Sequence, residues 1–212
     1  MARKLFIAGS TGVVGHEVVR LCGEKGVDYV AHARPKPGRP PPPRSAVLEL
    51  SDAAALVGAM KGCTTVLQLI GTMRSRFGQG DTYETSDIGT TRQLVEAAKA
   101  AGVDHVVLLS STGAGRPMGA YLKAKARAEA LVRDGGIPFT VLRPSAFTGT
   151  EERKVPGLMR VATRALGLRK LEPIEVADLA RALLDVAARR DPLNAVLEGE
   201  SLWDVVARAK AG

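Results

Sequence analysis

A tyrosine and a lysine four residues apart, Tyr121 and Lys125, form the pair in this chain whose types and spacing point most directly to chemistry. In a helix this spacing places both side chains on one face, within reach of each other. Ala128 and Val132 continue that face, so we expect it to press on a sheet and the lysine to need a partner there. A phenol beside an ammonium can donate a proton to a reacting group. The alternative is a surface tyrosine next to a lysine whose ammonium is solvated.

A glycine-spaced turn near the start of the chain is the second pattern. It reads Gly9-Ser10-Thr11-Gly12-Val13-Val14-Gly15, follows apolar residues 5–8 and opens a segment with helical spacing. Glycine lets the backbone turn tightly and approach a ligand closely. The N–H groups and the dipole of the first helical turn then attract an anion. The pattern predicts a pyrophosphate site made by these residues, and an ordinary βα turn is the alternative.

Strands and helices alternate along the chain, which predicts an α/β fold with a doubly wound parallel sheet covered on both faces. The expected strands are residues 5–8, 29–33, 47–50, 65–70, 105–109, 139–142 and 196–197. The expected helices are residues 13–25, 52–60, 85–101, 121–133, 156–166, 176–188 and 202–209. A ligand would bind past the carboxyl ends of the strands. We expect one domain over residues 1–212, with its core at 3–150 and a short C-terminal substrate lobe at 151–212.

Composition narrows the class of protein. The formal net charge is +8, but aromatic residues make up only 4% and no recognition motif is visible, which disfavours nucleic-acid binding. No apolar run approaches the roughly 20 residues that span a bilayer, so we expect a cytoplasmic protein without a membrane partner. The two cysteines, Cys22 and Cys63, lack metal-binding spacing, and we expect them reduced and no bound metal. The histidines are expected to be structural, and Trp203 to anchor the last helix.

Four motifs together resemble the short-chain dehydrogenase/reductase superfamily. They are Gly9-x-x-Gly12-x-x-Gly15, Ser110-Ser111-Thr112, Tyr121-x-x-x-Lys125 and Arg143-Pro144-Ser145. More narrowly, they resemble its atypical NAD(P)H-binding branch, with Tat-interacting-protein-type and NmrA-like members. The resemblance covers residues 3–150 well and the tail only loosely, and it implies a Rossmann fold.

The resemblance also implies a mechanism. Tyr121 would be the general acid that protonates a carbonyl oxygen as hydride arrives from the nicotinamide. The charge of Lys125 would favour the phenolate, and its ammonium would hydrogen-bond the nicotinamide ribose. Ser111 or Thr112 would orient the carbonyl, and alignment with extended family members favours Thr112 without settling the choice.

Cofactor preference depends on Arg34, at the end of the second strand and about twenty residues past the glycine turn. An acid there would bind the ribose of NAD, whereas an arginine accommodates the 2′-phosphate, so we expect NADP(H) to be preferred over NAD(H). Ser10 and Thr11 would help, and Lys36, Arg39 and Arg44 add positive charge within or beside the proline-rich residues 35–43. Further cofactor contacts are expected at strand ends, from Leu50, Gly71, Thr72, Ser110, Pro144 and Ser145. Asp52, near Leu50, would lie by the adenine or cap a helix.

We therefore expect an NADPH-dependent oxidoreductase that reduces a small carbonyl substrate. One alternative is an NAD(P)H-sensing regulatory or interaction protein with little turnover. A flavin-type reductase and a sugar-nucleotide epimerase are further alternatives. The expected assembly is a monomer, or a homodimer built on the helices at 85–101 and 121–133.

Overall fold

A parallel sheet organises the part of the chain that the computed structural model describes, residues 3–35, 38, 40–71, 82–148 and 169–212. Its strands are β1 (Lys4–Ala8), β2 (Asp28–Ala33), β3 (Ser45–Val47), β4 (Thr65–Gln68), β5 (His105–Leu109), β6 (Phe139–Arg143) and β9 (Ala195–Glu198). A separate parallel pair is formed by β7 (Phe147–Thr148) and β8 (Ile174–Glu175). The order in the main sheet is β3-β2-β1-β4-β5-β6-β9, and each neighbouring pair is parallel.

Helices cover both faces of this sheet. They are α1 (Val13–Lys25), α2 (Ala53–Met60), α3 (Thr90–Ala101), α4 (Gly119–Asp134), α5 (Val176–Arg189) and α6 (Glu200–Ala211). Alternate residues of β1 enter different cores: Leu5 and Ile7 pack with α1, α5 and α6, whereas Phe6 and Ala8 pack with α2, α3 and α4. The predicted doubly wound, Rossmann-like α/β fold is therefore confirmed.

The element boundaries differ most clearly from expectation at two strands and one helix, and most other ends shift by one or two residues. β3 covers Ser45–Val47 and not residues 47–50: Leu48 N still donates to Ala33 O at 3.1 Å, but a turn follows, in which Asp52 N donates to Glu49 O at 3.0 Å. β4 stops at Gln68. The side-chain oxygen of Gln68 accepts the Ile70 N–H, which a backbone carbonyl of a neighbouring strand would otherwise accept. The helix expected at 85–101 begins as a π-helical turn, Glu84–Gly89, before α3.

The described part of the tail lies on the main sheet. β9 pairs with β6, and α5 contributes Leu179 and Leu183 to the core it shares with α1. Trp203 is half-buried and donates to Arg169 O, which fits its expected anchoring role. The helix expected at 156–166 falls outside the described residues, and a separate substrate lobe stays a prediction.

The buried side chain of His105 is held in its neutral form. Thr140 Oγ1 donates to Pro192 O at 2.6 Å, so it accepts from His105 Nε2 at 2.9 Å. The other ring nitrogen, Nδ1, is buried without a hydrogen-bond partner in the described part of the chain. Burial, with help from the charges of Arg190 and Arg3, lowers the pKa of His105 to about 4.

This geometry predicts an acid-sensitive fold. Since the unfolded histidine titrates near pH ~6.5, the unfolded state binds a proton first, and stability falls between that pH and about 4. His105→Gln keeps an N–H donor but does not titrate. Urea unfolding at pH 7 and at pH 4.5 gives the free energy of unfolding that each protein loses on acidification. The loss should be about 2 kcal/mol smaller in His105→Gln than in wild type. Exposed His16→Gln is the control, and equal losses in wild type and His105→Gln would contradict the assignment.

Candidate active site

The glycine turn has no room for side chains at two of its glycines. Gly9 has φ +90°, and a Cβ there would lie 2.9 Å from Ile70 N. A Cβ on Gly15 would lie 2.0 Å from Gly9 O. The turn is closed by Gly12 N donating to Gly9 O at 3.0 Å. These contacts let α1 start directly against the ends of β1 and β4.

The amino end of α1 is open to an anion. Gly12 is the N-cap, so no side chain caps the helix, and the first turn carries no acidic residue. The first-turn N–H groups, from Val13 onward, have no carbonyl one turn earlier in the helix to accept them. Val13 is exposed, whereas Val14 and Gly15 are buried against the turn. The chemistry of this terminus suits a diphosphate.

A cavity of about 710 Å³ lies beside this helix end. Its lining combines the glycine turn with the ends of β2 and β4 and the proline run. Of the predicted cofactor residues, those on its wall are Gly9, Ser10, Thr11, Gly12, Arg34, Leu50 and Gly71. The cavity and turn together fit a dinucleotide cofactor in size and donor chemistry.

The expected role of Ser10 in holding a 2′-phosphate is not supported. Its buried hydroxyl donates to His32 O at 2.6 Å, which ties the turn to β2. His32 itself is structural: burial lowers its pKa, and its Nε2 lies 3.0 Å from Leu48 O. Thr11, by contrast, is exposed on the cavity wall.

Positive charge at the end of β2 is carried by Arg34, which is exposed and lines the cavity. Arg44 instead binds Asp28 at 3.1 Å and lies over the Tyr29 ring. Lys36 and Arg39 fall outside the described residues. Asp52 accepts the Ala55 N–H at 3.0 Å, so it caps α2, the second of its two expected roles.

A buried ion pair holds the predicted lysine. Lys125 Nζ lies 2.8 Å from Asp87 Oδ1, and the two side chains are 7% and 1% exposed. Asp87 is part of the π-helical turn, and Ser86 before it lines the cavity. A Cβ on Gly71 would lie 2.7 Å from Lys125 Nζ. The lysine therefore lies directly behind the cavity wall at the end of β4.

Tyr121 shares the helix face with Lys125, as the spacing predicts. Its ring is 5.9 Å from Lys125 Nζ and 5.8 Å from the Tyr83 ring. The tyrosine is 36% exposed while the lysine is buried, so part of the tyrosine surface is open to solvent and the ammonium is enclosed. This arrangement gives a substrate access to the phenol next to a fixed positive charge.

The three hydroxyls after β5 have different partners. Ser110 Oγ donates to the buried carboxylate of Glu129 at 2.6 Å. Thr112 Oγ1 donates to Arg143 O at 2.9 Å, whereas Ser111 Oγ makes, among the described residues, one long contact of 3.5 Å with Thr112 O. The proton of Thr112 is thus already donated, and that of Ser111 is available to a substrate.

The remaining predicted cofactor residues have backbone partners. Pro144 O accepts the Thr112 N–H at 2.9 Å, and Ser145 Oγ donates to Glu172 O at 2.8 Å. The first bond joins the ends of β5 and β6, and the second joins β6 to the residues before β8. The expectation that Pro144 and Ser145 touch the cofactor stays a prediction. Thr72 falls outside the described residues.

The sequence motifs do not single out Asp87 or Glu129, and they include Arg143 only as part of Arg143-Pro144-Ser145. A signal for Asp87 was present, because it shares the helical stripe of Thr91, Leu94 and Ala98, where an acid needs a partner. Glu129 follows Lys125 by four residues on the buried face of α4. It accepts hydrogen bonds from Nε and Nη2 of Arg143, at 2.8 and 2.6 Å. These hydrogen bonds to Glu129 raise the pKa of Arg143, which therefore stays cationic.

Residues 9–190 match a family described as NAD(P)H-binding. The chain belongs to this family. Protein FMP52, mitochondrial, of Debaryomyces hansenii is 31% identical over 156 residues, which is 70% of this chain and 68% of that protein. Divinyl chlorophyllide a 8-vinyl-reductase, chloroplastic, of Oryza sativa is 27% identical, over 91% of this chain and 53% of that protein. The (4-alkanoyl-5-oxo-2,5-dihydrofuran-3-yl)methyl phosphate reductase of Streptomyces griseus is 29% identical, over 85% of this chain and 62% of that protein.

Solved structures confirm the fold. The oxidoreductase ylbE of Lactococcus lactis superposes with a TM-score of 0.71 at 17% identity, over 99% of this chain and 97% of that one. MoeE5 in complex with UDP-glucuronic acid and NAD also has a TM-score of 0.71, at 24% identity, over 99% of this chain and 81% of that one. The resemblance to an NAD(P)H-binding, dehydrogenase/reductase-like superfamily is confirmed.

This chain is shorter than two of these relatives, and the names of two relatives give an organelle. This chain spans about half of the chlorophyllide reductase and under two thirds of the phosphate reductase. Among the described residues, no helix is long and apolar enough to cross a bilayer. Two relatives are named as mitochondrial and chloroplastic, so a cytoplasmic location stays a prediction.

The glycine turn gives a paired test on one helix. Gly15→Ala should destabilise the protein by about 1–3 kcal/mol, because its Cβ would meet Gly9 O. Gly23→Ala, at a site on α1 with nothing within 4 Å, should stabilise it by about 0.5–1 kcal/mol. Urea unfolding measures both, and a neutral Gly15→Ala would show that the turn is not constrained as described.

The buried ion pair gives a second paired test. Asp87→Asn leaves the Lys125 ammonium buried without a counter-charge, which should lower the free energy of unfolding by about 3 kcal/mol. Glu84→Gln removes an exposed partner of Arg127 from the same π-helical turn and should cost under about 1 kcal/mol. Equal effects of the two changes would show that the Lys125–Asp87 pair is not shielded from water.

Proposed function

We propose that this protein is an NADPH-dependent reductase that transfers hydride to a small carbonyl substrate, with Tyr121 as the general acid. The observation that carries the proposal is the position of Lys125. Its ammonium is buried on Asp87, packs behind the cavity wall at Gly71 and lies beside the Tyr121 ring. Stability alone is a weak reason to bury a charged pair, whereas a fixed cation beside a phenol is useful chemistry.

The cofactor would be held by groups on the cavity wall. Bound NADPH would supply the hydride. The N–H groups at the start of α1 would bind its diphosphate. Lys125 would donate to a ribose hydroxyl, since an ammonium has three donors. Leu50, which also lines the cavity, would give an apolar contact.

The proton would come from Tyr121. The positive charge of Lys125 would stabilise the phenolate left after proton transfer. Ser111 would donate a hydrogen bond to the substrate oxygen, because its hydroxyl proton is available and that of Thr112 is bound to Arg143 O. This assigns to Ser111 the role for which alignment with extended family members favours Thr112.

A second candidate is the reduction of a carbon–carbon double bond conjugated to a carbonyl. One relative is named a vinyl reductase, and another acts on a compound named as a dihydrofuran. Tyr121 and Ser111 would then bind the conjugated oxygen. A panel of aldehydes, ketones and enones, each with NADPH, separates the two reactions by product analysis. No turnover with any of them, together with tight NADPH binding, would favour a cofactor-sensing protein.

Removing one phenol oxygen tests the acid. Tyr121→Phe should lower kcat by about 100-fold or more, since a positioned general acid contributes about 10²–10⁴-fold. Its dissociation constant for NADPH should stay within about twofold of wild type, because the ring itself is kept. Tyr83→Phe, at the neighbouring ring, is the control and should retain kcat. Unchanged turnover in Tyr121→Phe would refute the role.

Neutralising one arginine tests the cofactor preference. Arg34→Gln should raise the NADPH dissociation constant about tenfold or more, because a charge-assisted phosphate contact is worth roughly 1.5–3 kcal/mol. NADH binding should change by less than about twofold. Arg189→Gln removes the same charge from an exposed site on α5 and should alter neither constant. Calorimetric titration measures all of these, and equal losses for both cofactors in Arg34→Gln would contradict the preference.

A further inference from the structure

We propose that Arg143 is a positioning residue that fixes the hydroxyl loop (residues 111–115) against the helix that carries Tyr121 and Lys125. The inference rests on the proposed function. Arg143 ends β6, and its side chain is only 10% exposed. It lies between two elements that must keep one relative position for a substrate oxygen to meet both a hydroxyl and the phenol.

The first contact is with α4. Arg143 Nε and Nη2 bind the two oxygens of Glu129 at 2.8 and 2.6 Å, and Ser110 Oγ donates to the same carboxylate. Glu129 is one turn beyond Lys125 and two turns beyond Tyr121, on the same face. A two-point contact fixes the rotation and the height of α4 on the sheet better than apolar packing does, because its geometry is directional.

The second contact is with the hydroxyl loop. Arg143 Nη1 lies 3.3 Å from Glu198 Oε2, and Glu198 Oε1 accepts the Gly113 N–H at 3.3 Å. Burial alone would raise the pKa of Glu198, but the Gly113 N–H, Lys170 and Arg143 lower it, so this carboxylate stays charged. Arg143 O also accepts from Thr112 Oγ1.

Gly115 shows how closely the loop lies on the guanidinium. A Cβ at this position would be 2.7 Å from Arg143 Nη1. Because Arg143 is held by two carboxylates, it cannot swing aside without breaking those bonds. The loop therefore lies directly on the arginine, and a movement of Arg143 would displace Ser111 relative to Tyr121.

Arg133 provides a matched control. It binds the same oxygen of Glu129 at 2.9 Å, but it is 41% exposed and extends from α4 itself. The described contacts of Arg133 do not reach the hydroxyl loop. Arg143→Lys and Arg133→Lys thus make the same chemical change on two arginines that share a carboxylate, and only the first removes the connection between loop and helix.

The kinetic arm compares kcat, KM and the NADPH dissociation constant of these variants on folded samples. Arg143→Lys should lower kcat by about tenfold or more and keep the NADPH constant within about twofold, since misplacement by about 1 Å costs on that scale or above. Arg133→Lys should match wild type. Gly115→Ala keeps every charge but places a Cβ against Arg143, so it should also lower kcat. Full kcat in Arg143→Lys, or equal effects of the two lysine variants, would overturn the proposal.

The second arm needs no turnover. The chain has three tyrosines, Tyr29, Tyr83 and Tyr121, so 3-fluorotyrosine labelling gives a ¹⁹F spectrum that Tyr→Phe variants assign. Arg143→Lys should shift or broaden the Tyr121 signal and leave Tyr29 unchanged, and Arg133→Lys should do neither. If wild type binds no NADPH, the proposed function fails, and this spectrum alone decides whether Arg143 holds the helix. An unmoved Tyr121 signal in folded Arg143→Lys would overturn that claim.

Discussion

The buried contact between Lys125 and Asp87 is the constraint on which the candidate site depends. Two charges with 7% and 1% exposure have lost most of their hydration, and each therefore requires the other in place. Because one lies on α4 and the other in the π-helical turn before α3, their contact fixes how these helices meet. A Cβ on Gly71, just past β4, would lie 2.7 Å from this ammonium. The same contact brings a cation to the wall of the cavity.

A second set of buried charges lies further along α4. Glu129 is bound by Ser110 and Arg143, and Arg143 in turn is bound to Glu198. The helix that carries Tyr121 is thus held at two points along its buried face. Asp87 binds it at Lys125, and Arg143, from β6, binds it at Glu129. Tyr121 itself keeps a third of its surface open. Rigid supports under an exposed reacting group are what a preorganised site requires.

Much of this architecture can be predicted from sequence because its signals are local. The glycine turn, α1 and the stripe Tyr121–Lys125 each depend on spacing within one element, and the structure shows them as predicted. Asp87, which pairs with Lys125, and Arg143, which binds Glu129, come from other elements, so periodicity alone could not pair them. The roles of Ser10, Ser111 and Thr112 differ for the same reason: each depends on which distant backbone oxygen accepts its proton. β3 ends earlier than expected because a turn follows it, and the mostly apolar residues at 47–50 gave no sign of that turn.

The most direct test of the central claim is a crystal structure of the protein with NADP⁺ bound. We expect the diphosphate at the start of α1, the 2′-phosphate near Arg34, and a nicotinamide ribose hydroxyl within hydrogen-bonding distance of Lys125 Nζ. A cofactor bound elsewhere, or one whose ribose lies away from Lys125 with the ammonium still buried on Asp87, would contradict the claim.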